Sequence, residues 1–426
     1  MHWPSPPLPL FMKHIAITGA GPAGVATALL LAQQGLKVTL VEQEPKFDRL
    51  FRGEGLMPSG LEALYQMGLK ETFKEIPSRR LDAWDFYVGG RRRMRVKEPT
   101  KNGVSTQIIN QTALLEAMVE KAKALPNFEF CPGWQVVDFL RDSKASVVEN
   151  RAEETVVGLR VKKTGQRRDI FADALVGADG RYSRMRKLAG LTLNNSPTQF
   201  DVLWFKLPAP ASLKKETPFV ACLQPDSQFA FYPSWDGRLQ IGWIVEKGTG
   251  KERHSQLKEQ DWIERFATAL PPKLAEHFRR HKNELEGPIF LEVQVGCCEQ
   301  WSIPGLLLIG DAAHPMAPNR AQGINMALRD AIVVANHLAQ IDKQGRVTNE
   351  VLQAIQSERQ PEVEAVQKMQ LAEWRKVEFI SRPGLPYQGF KAIASTFGRF
   401  AFAQNIWLHE QKGLREGVVP VRLNSQ

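Results

Sequence analysis

The apolar run His14-Ile15-Ala16-Ile17-Thr18 ends on Gly19-Ala20-Gly21-Pro22-Ala23-Gly24, and residues 23–34 follow with helical composition. A G-x-G-x-x-G caught between a buried strand and a helix constrains this chain more than any other feature. The first glycine allows a tight turn, the second lets backbone approach a pyrophosphate, and the third lets helix and strand pack closely. The helix N-terminus then offers free N–H groups and the positive end of its dipole to phosphate. Gly35 is placed to stop the helix. Lys37 to Val41 forms a second β-branched run closing on Glu42, near the spacing at which an acid bonds a ribose 2′-hydroxyl. Strand, helix and strand make a βαβ unit, which must be parallel and right-handed. The fold class expected is α/β, with a dinucleotide site at Gly19, Gly21, Ala23, Gly24 and Glu42.

Composition narrows the class. At 426 residues, 43% hydrophobic and 24% charged, the chain has a sizeable core and is not disordered. A prior of roughly 150 residues per domain suggests about two or three domains. Four cysteines (Cys131, Cys222, Cys297, Cys298) without a Cys-x-x-Cys pair exclude a disulfide scaffold and point to a reducing, cytoplasmic setting. No apolar run is long enough to span a bilayer. Residues 1–11 read as a loose proline-rich extension rather than a secretory signal, and Met12 is able to begin the same fold. The net charge of +10 favours anionic partners by long-range steering and says nothing finer.

Two further turns carry chemistry. Gly177-Ala178-Asp179-Gly180-Arg181-Tyr182-Ser183 follows the short apolar strand 172–176; its plainest reading is a capping aspartate before a basic helix. Gly310-Asp311-Ala312-Ala313-His314-Pro315 follows the strand 305–309 and runs through Pro318 to Gly323-Ile324-Asn325. Residues 324–341 then form a helix with Ile324, Leu328, Ile332 and Ala335 on one face. A carboxylate at a strand end, followed by a helix N-terminus, suits a ligand with hydroxyls at one end and delocalised negative charge at the other. A reduced flavin has both. Residues 112–124 read as an amphipathic helix, and 195–295 as an antiparallel sheet of alternating aromatic and apolar residues. The stretch 81–98, with Gly89-Gly90 at its turn, reads as a hairpin of that sheet, and 345–416 as helical, interrupted at Pro383 and Pro386.

In this order and spacing the three turns resemble the class A flavoprotein aromatic hydroxylases, the para-hydroxybenzoate hydroxylase-like FAD monooxygenases. The resemblance covers residues 12–345 most clearly. It implies a Rossmann-like FAD-binding domain (12–80, 105–190 and 295–345), an inserted antiparallel β-sheet substrate domain (81–104 and 191–294) and a helical C-terminus (346–426). By position, Glu42 would bind the adenosine ribose, Asp311 a ribityl hydroxyl, and the Gly323 and Ile324 N–H groups, with Asn325 and Gly310 beside them, the isoalloxazine side. Arg52 matches the family arginine on the flavin-contacting loop, Gln111 a residue touching FAD, Val136 the residue packing by the adenine. Asp179 matches the Asp-Gly motif implicated in both FAD and NAD(P)H handling. The implied cycle uses NADPH or NADH to reduce FAD, takes up O2, and transfers one oxygen through a C4a-hydroperoxyflavin to an aromatic or polycyclic small molecule, by hydroxylation or epoxidation. It needs no metal, no catalytic triad and no nucleic acid.

One departure stands out. Pro318-Asn319-Arg320-Ala321-Gln322-Gly323 carries Arg320 where the family has a glycine able to take positive φ cheaply. Either the loop is reshaped or a guanidinium lies near the flavin, ready for an anionic substrate; Arg320 and Pro318 are the candidate catalytic positions. Gln43, replacing a frequent arginine, leaves NADPH against NADH open. Trp204, Tyr232 and Gln240 are candidate substrate contacts, against the reading of the two aromatics as core. His314 reads as structural, and Arg91-Arg92-Arg93-Met94-Arg95 as a solvated hairpin face. The basic, aromatic stretch 389–407 suits a membrane surface or lipophilic substrate, or equally a packing face against the FAD domain or another subunit, in a monomer or homodimer. Rival functions are a flavin-dependent halogenase or prenyl-chain reductase, and a flavin-binding sensor or scaffold without turnover.

Overall fold

The computed structural model describes residues 13–47, 53–100, 103–142, 147–148, 151–152, 154–198, 200–225, 227–249, 259–340 and 347–424. The expectations for residues 1–11 and for Arg52 lie outside the described residues. His14–Thr18 is an inner strand of a six-stranded sheet in the order Ser302–Ile303, Leu306–Leu308, Ala174–Gly177, His14–Thr18, Lys37–Glu42, Phe128–Pro132. Ile17 lies beside Leu40 on one side and Val176 on the other, in parallel register. Only the pairing of Ser302–Ile303 with Leu306–Leu308 is antiparallel. Both faces of the sheet are covered, so its strands are continuous apolar runs, with Ile15, Ala16 and Ile17 fully buried.

Helix Pro22–Gln33 opens with proline where the first N–H groups have no partner within the helix. It ends at Gly35, φ +83°, where the Gly35 and Leu36 N–H groups donate to the Ala32 and Leu31 carbonyls. That is a Schellman closure, and the left-handed residue it requires is glycine. Parallel pairing has one decisive consequence for the site. The C-terminal ends of His14–Thr18, Ala174–Gly177 and Leu306–Leu308 lie side by side, so turns starting near Gly19, Ala178 and Gly310 meet along one sheet edge.

The second sheet has seven strands in the order Glu286–Leu291, Phe200–Pro208, Arg238–Glu246, Ser227–Pro233, Pro218–Gln224, Ala83–Val88, Arg91–Lys97. It corrects the expectation of an antiparallel sheet: Pro218–Gln224 and Ala83–Val88 run parallel. Alternation of side chains reports which face a residue takes, not the direction of a neighbour far away in sequence. One face (Leu203, Phe205, Phe229, Phe231, Ile241, Trp243) packs on Trp262, Phe266 and Phe278 of helices Glu259–Thr268 and Pro272–Arg280. The other face carries Trp204, Lys206, Tyr232, Gln240 and Gly242, with Trp204 opposite Gly242, and Lys206 and Tyr232 flanking Gln240 in register. Arg92 and Arg95 of the basic run each lie 3.5 Å from Asp85 on the neighbouring strand, as befits a hairpin face with local partners.

The C-terminus forms helices Asn349–Ile380, Leu385–Phe397 and Ala401–Glu416. Part of the aromatic stretch packs, but on the mixed sheet rather than on the first one. Trp407 lies 5.6 Å from Trp84 and 5.3 Å from Phe86, and Phe390 joins Val88, Leu223 and Tyr387. Phe397, Phe400 and Phe402 remain exposed. Among the described residues no helix is long and apolar enough to cross a membrane. Burial pushes the Cys297 thiol up to about 12 and that of Cys298 to about 11, so both stay protonated and inert at neutral pH.

Candidate active site

A cleft of about 980 Å³ runs along the edge where the three turns meet. Gly19, Gly21, Ala23, Glu42, Gln111, Val136, Asp179, Asp311, Pro318, Gly323, Ile324 and Trp204, all expected from sequence, line it. Gly19 takes φ +93°, and a Cβ there would sit 2.4 Å from the Ala178 carbonyl oxygen. A Cβ on Gly24 would come within 1.9 Å of the Gly19 carbonyl oxygen. Gly21 is different: among the described residues a Cβ would meet nothing within 4 Å. Its bareness serves no protein contact and leaves the backbone open to a ligand at the helix N-terminus, which is the fit a pyrophosphate requires. The Glu42 carboxylate is buried at the strand end, accepting from the Ala20 N–H at 2.6 Å and the Glu44 N–H at 2.9 Å. The acid at the strand end therefore lines the cleft and also clamps the glycine turn.

Asp179 accepts from the Ser183 hydroxyl at 2.5 Å and from the Arg184 and Met185 N–H groups at 2.7 and 3.0 Å. It takes the first N–H groups of helix Arg184–Leu188, close to the plain reading of that motif although the N-cap itself is Ser183, while one side still faces the cleft. Burial raises its pKa against these bonds. Arg181, whose role sequence reasoning missed, ties the second turn to the third. It donates to the Glu292 carbonyl at 3.2 Å and lies 3.5 Å from the Asp311 carboxylate. It stood in the quoted motif, but nothing in the spacing shows which way its side chain turns. Phe290, Leu291, Met316 and Ala317 of the cleft wall were also missed, being ordinary apolar residues without a motif.

At the third turn Gly310, φ +57°, donates its N–H to the buried Asp330 carboxylate at 3.0 Å. A Cβ on Gly310 would lie 3.0 Å from that of Ala23, so the third turn packs directly on the first helix. Beside it, a Cβ on Gly323 would approach the Asp311 carboxylate to 3.8 Å. His314 sits 2.7 Å from Asp330 with its ring against Trp301, both partners buried, which is a structural role. Asn325 needs correction as a cofactor contact. Its side chain is fully buried, accepting from the Met57 N–H at 2.9 Å and donating to the Ala321 carbonyl at 2.6 Å, so it staples the loop from behind.

Arg320 also needs correction. Arg320 and Ala321 take φ +60° and +50° without glycine, at a cost on the order of 1–3 kcal/mol each. The guanidinium offsets that strain by pairing with Glu373 and stacking 4.6 Å from the Trp84 ring centroid and 4.8 Å from that of Trp407. It does not line the cleft, and its charge is already met, so no anionic substrate is needed to explain it. Tyr232 and Gln240 share the sheet face with Trp204 but are buried off the cleft wall, Tyr232 stacked on Phe219 at 5.7 Å.

The FAD-binding domain family matches residues 12–370. The chain is 31% identical over 382 residues to 6-methylpretetramide 4-monooxygenase of Streptomyces rimosus, covering 87% of this chain and 86% of that protein. It is 26% identical to 3-hydroxybenzoate 6-hydroxylase of Klebsiella oxytoca, covering 76% and 80%. Among solved structures, p-nitrophenol 4-monooxygenase from Pseudomonas putida DLL-E4 superposes with a TM-score of 0.78 over 96% of this chain and 99% of that chain, at 19% identity, a likeness of fold. With the glycine turn, Glu42 and the Gly310–Ile324 turn gathered on one cleft, the chain belongs to the FAD-binding domain family and is an FAD-dependent monooxygenase.

Proposed function

We propose that this enzyme hydroxylates or epoxidises an aromatic or polycyclic small molecule, consuming NADPH or NADH and O2. One observation carries the reading: a single cleft joins the dinucleotide turns to an apolar wall made of Trp204, Phe290, Leu291, Ala317 and Pro318. The chemistry supplied by bound FAD is activation of O2 for transfer of one oxygen atom. The protein's share is binding, orientation and exclusion of water. The Gly19–Gly24 turn would hold the pyrophosphate and Glu42 the adenosine ribose, with Val136 at the adenine and Gln111 along the chain. Asp311 would take a ribityl hydroxyl, and the N–H groups at Gly323 and Ile324 the ring edge.

In this reading residues 12–80, 105–190 and 295–345 form the FAD-binding domain, 81–104 and 191–294 the substrate domain, and 346–426 the helical region that braces both. The free cysteines support a cytoplasmic setting. Names of relatives such as 6-methylpretetramide 4-monooxygenase and 3-hydroxybenzoate 6-hydroxylase favour a ring-bearing substrate over halogenation or prenyl reduction. The test is purified protein supplied with NAD(P)H, an aromatic panel and 18O2. Yellow protein, substrate-stimulated NAD(P)H oxidation and label in the product are expected. FAD loading without any NAD(P)H- or O2-linked turnover would favour the scaffold instead. Asp311→Ala, which removes a hydrogen-bonding carboxylate, is expected to weaken FAD binding about 10- to 100-fold by fluorescence titration; unchanged affinity would remove Asp311 from the ribityl position.

A further inference from the structure

A surface helix ordinarily turns its apolar residues inward and its polar residues to water. Helices Leu385–Phe397 and Ala401–Glu416 carry apolar residues on both sides. Inward, Tyr387, Phe390 and Ala394 pack on Val88 and Leu223, and Trp407 packs on Trp84 and Phe86. Outward, the pattern fails: of the ten large hydrophobic side chains exposed among the described residues, seven fall between Phe379 and Ile406. Single exposed apolar residues are normal, but a concentration of this kind marks a contact surface. Leu385 is 89% exposed, and Ile393 and Phe397 follow it within about 120° of one helix face. At the helix end Phe397, Phe400 and Phe402 form a three-cornered cluster, ring centroids 6.1 to 6.4 Å apart, with all three rings open to solvent.

The charge around this ridge has one sign. Between Glu378 and Glu410 the sequence has no acidic residue, but it has Arg382, Lys391 and Arg399. The two bounding acids are already paired, Glu378 with Arg382 at 3.3 Å and Glu410 with Lys376 at 2.8 Å. The arginine-rich hairpin of the mixed sheet joins the same surface. A Cβ on Gly89 would stand 3.0 Å from the Lys391 side chain, and one on Gly398 would stand 2.5 Å from the Arg93 carbonyl oxygen. Hairpin and helix are therefore in direct contact. Arg92 and Arg95 are met by Asp85, whereas Arg91, Lys391 and Arg399 make no ion pair among the described residues.

Charge separates the two occupants that such a face can take. A second copy of this chain, docked about a two-fold axis, brings the acid-free patch against itself, and like charges oppose that contact. An anionic phospholipid surface complements both properties at once. Aromatic and aliphatic side chains enter the boundary between headgroups and acyl chains, while Lys and Arg stay with the headgroup phosphates. We propose that helix Leu385–Phe397, the Phe397–Phe400–Phe402 cluster and the hairpin tip at Arg91 dock this enzyme on an anionic phospholipid surface. The helix lies in the plane of the interface; among the described residues no helix is long and apolar enough to cross a membrane. None of these side chains lines the cleft, so docking leaves the flavin site intact.

The test is co-sedimentation of FAD-loaded full-length protein with vesicles of phosphatidylcholine alone or mixed with phosphatidylglycerol. Binding is expected to the mixed vesicles, at least about tenfold weaker to the neutral ones, and weaker again as salt is added. Protein that stays in solution beside the mixed vesicles, or that binds both kinds equally, overturns the proposal. One variant combines Phe397→Ser, Phe400→Ser and Phe402→Ser; a second combines Arg91→Gln, Lys391→Gln and Arg399→Gln. Each is expected to lower the ratio of bound to free protein about ten- to a hundred-fold, with flavin content and circular dichroism unchanged. Wild-type binding by either variant overturns the assignment to this surface. If the serine variant does not fold, the glutamine variant, altered only at side chains without ion pairs, decides alone. Light scattering without lipid tests the rival occupant: a wild-type dimer that the serine variant converts to monomer places a second copy on this face and overturns the lipid assignment.

Discussion

Gly24→Ala is expected to yield protein that no longer retains flavin. The added methyl would stand 1.9 Å from the Gly19 carbonyl oxygen and 3.4 Å from the Ala178 methyl. The closest atom is backbone, not the end of a flexible side chain, so the helix must tilt away from the turn or the turn must open. Gly19 has no freedom to open. Its N–H is held by the Val41 carbonyl at 2.8 Å, and its own positive φ leaves no room beside Ala178. Overpacking of a well-packed site costs about 1–3 kcal/mol. If the strain falls on the cradle, FAD affinity drops on the order of a hundred-fold. Absorbance of purified protein at the flavin band checks this, with circular dichroism to show that the sheet survives. Gly21→Ala is the control: among the described residues its methyl would meet no atom within 4 Å, so a loss there reports the ligand rather than the described fold.

The second large effect is expected for Arg359→Leu. Arg359 is fully buried; it reaches Asp330 at 2.8 Å and also pairs with Glu362. Glu362 is in turn bound by Arg329 at 2.6 Å and accepts from the Val418 N–H at 2.9 Å, which clamps the C-terminal segment. Removing Arg359 leaves two buried carboxylates short of one cation, and breaking one partner of such a network costs about 3–5 kcal/mol. The damage reaches the site because Asp330 also holds the Gly310 N–H and His314, so FAD affinity should fall with stability.

The effect depends on pH in a defined sense. Burial would raise the Asp330 pKa, but His314 and Arg359 outweigh it and hold the carboxyl at about 2, below the ordinary 3.8. The stability this supplies is present above 3.8 and is lost as pH falls toward 2. Without Arg359 the Asp330 carboxyl moves upward, so wild type and variant should differ most at neutral pH and converge in acid. Urea unfolding midpoints at pH 7 and about pH 2 check this, and a constant difference would show that the network is not what Arg359 supports.

Much of the site was legible because turns are local. Whether Gly19 and Gly35 take positive φ, whether Pro22 begins a helix and whether Asp179 binds the first N–H groups of one depend on atoms a few residues away, so spacing alone reveals them. The expectation at Arg320 failed for the opposite reason. Its left-handed backbone is tolerated through Glu373, Trp84 and Trp407, and no local rule connects those positions. Tyr232 and Gln240 were placed on the right face by period-two alternation, yet alternation carries no depth and did not show that the cleft stops at Trp204.

The amino-acid order alone thus set the three ligand-facing turns, the parallel unit around the first and the acid at Glu42, since backbone sterics and short-range hydrogen bonding decide these. Which distant segments would meet was settled only in three dimensions: the parallel entry of Ala83–Val88 beside Pro218–Gln224, the Arg181–Asp311 tie and the Arg320 stack. Those contacts depend on how whole layers pack, and packing is a property of volumes and directions that no short window of sequence contains.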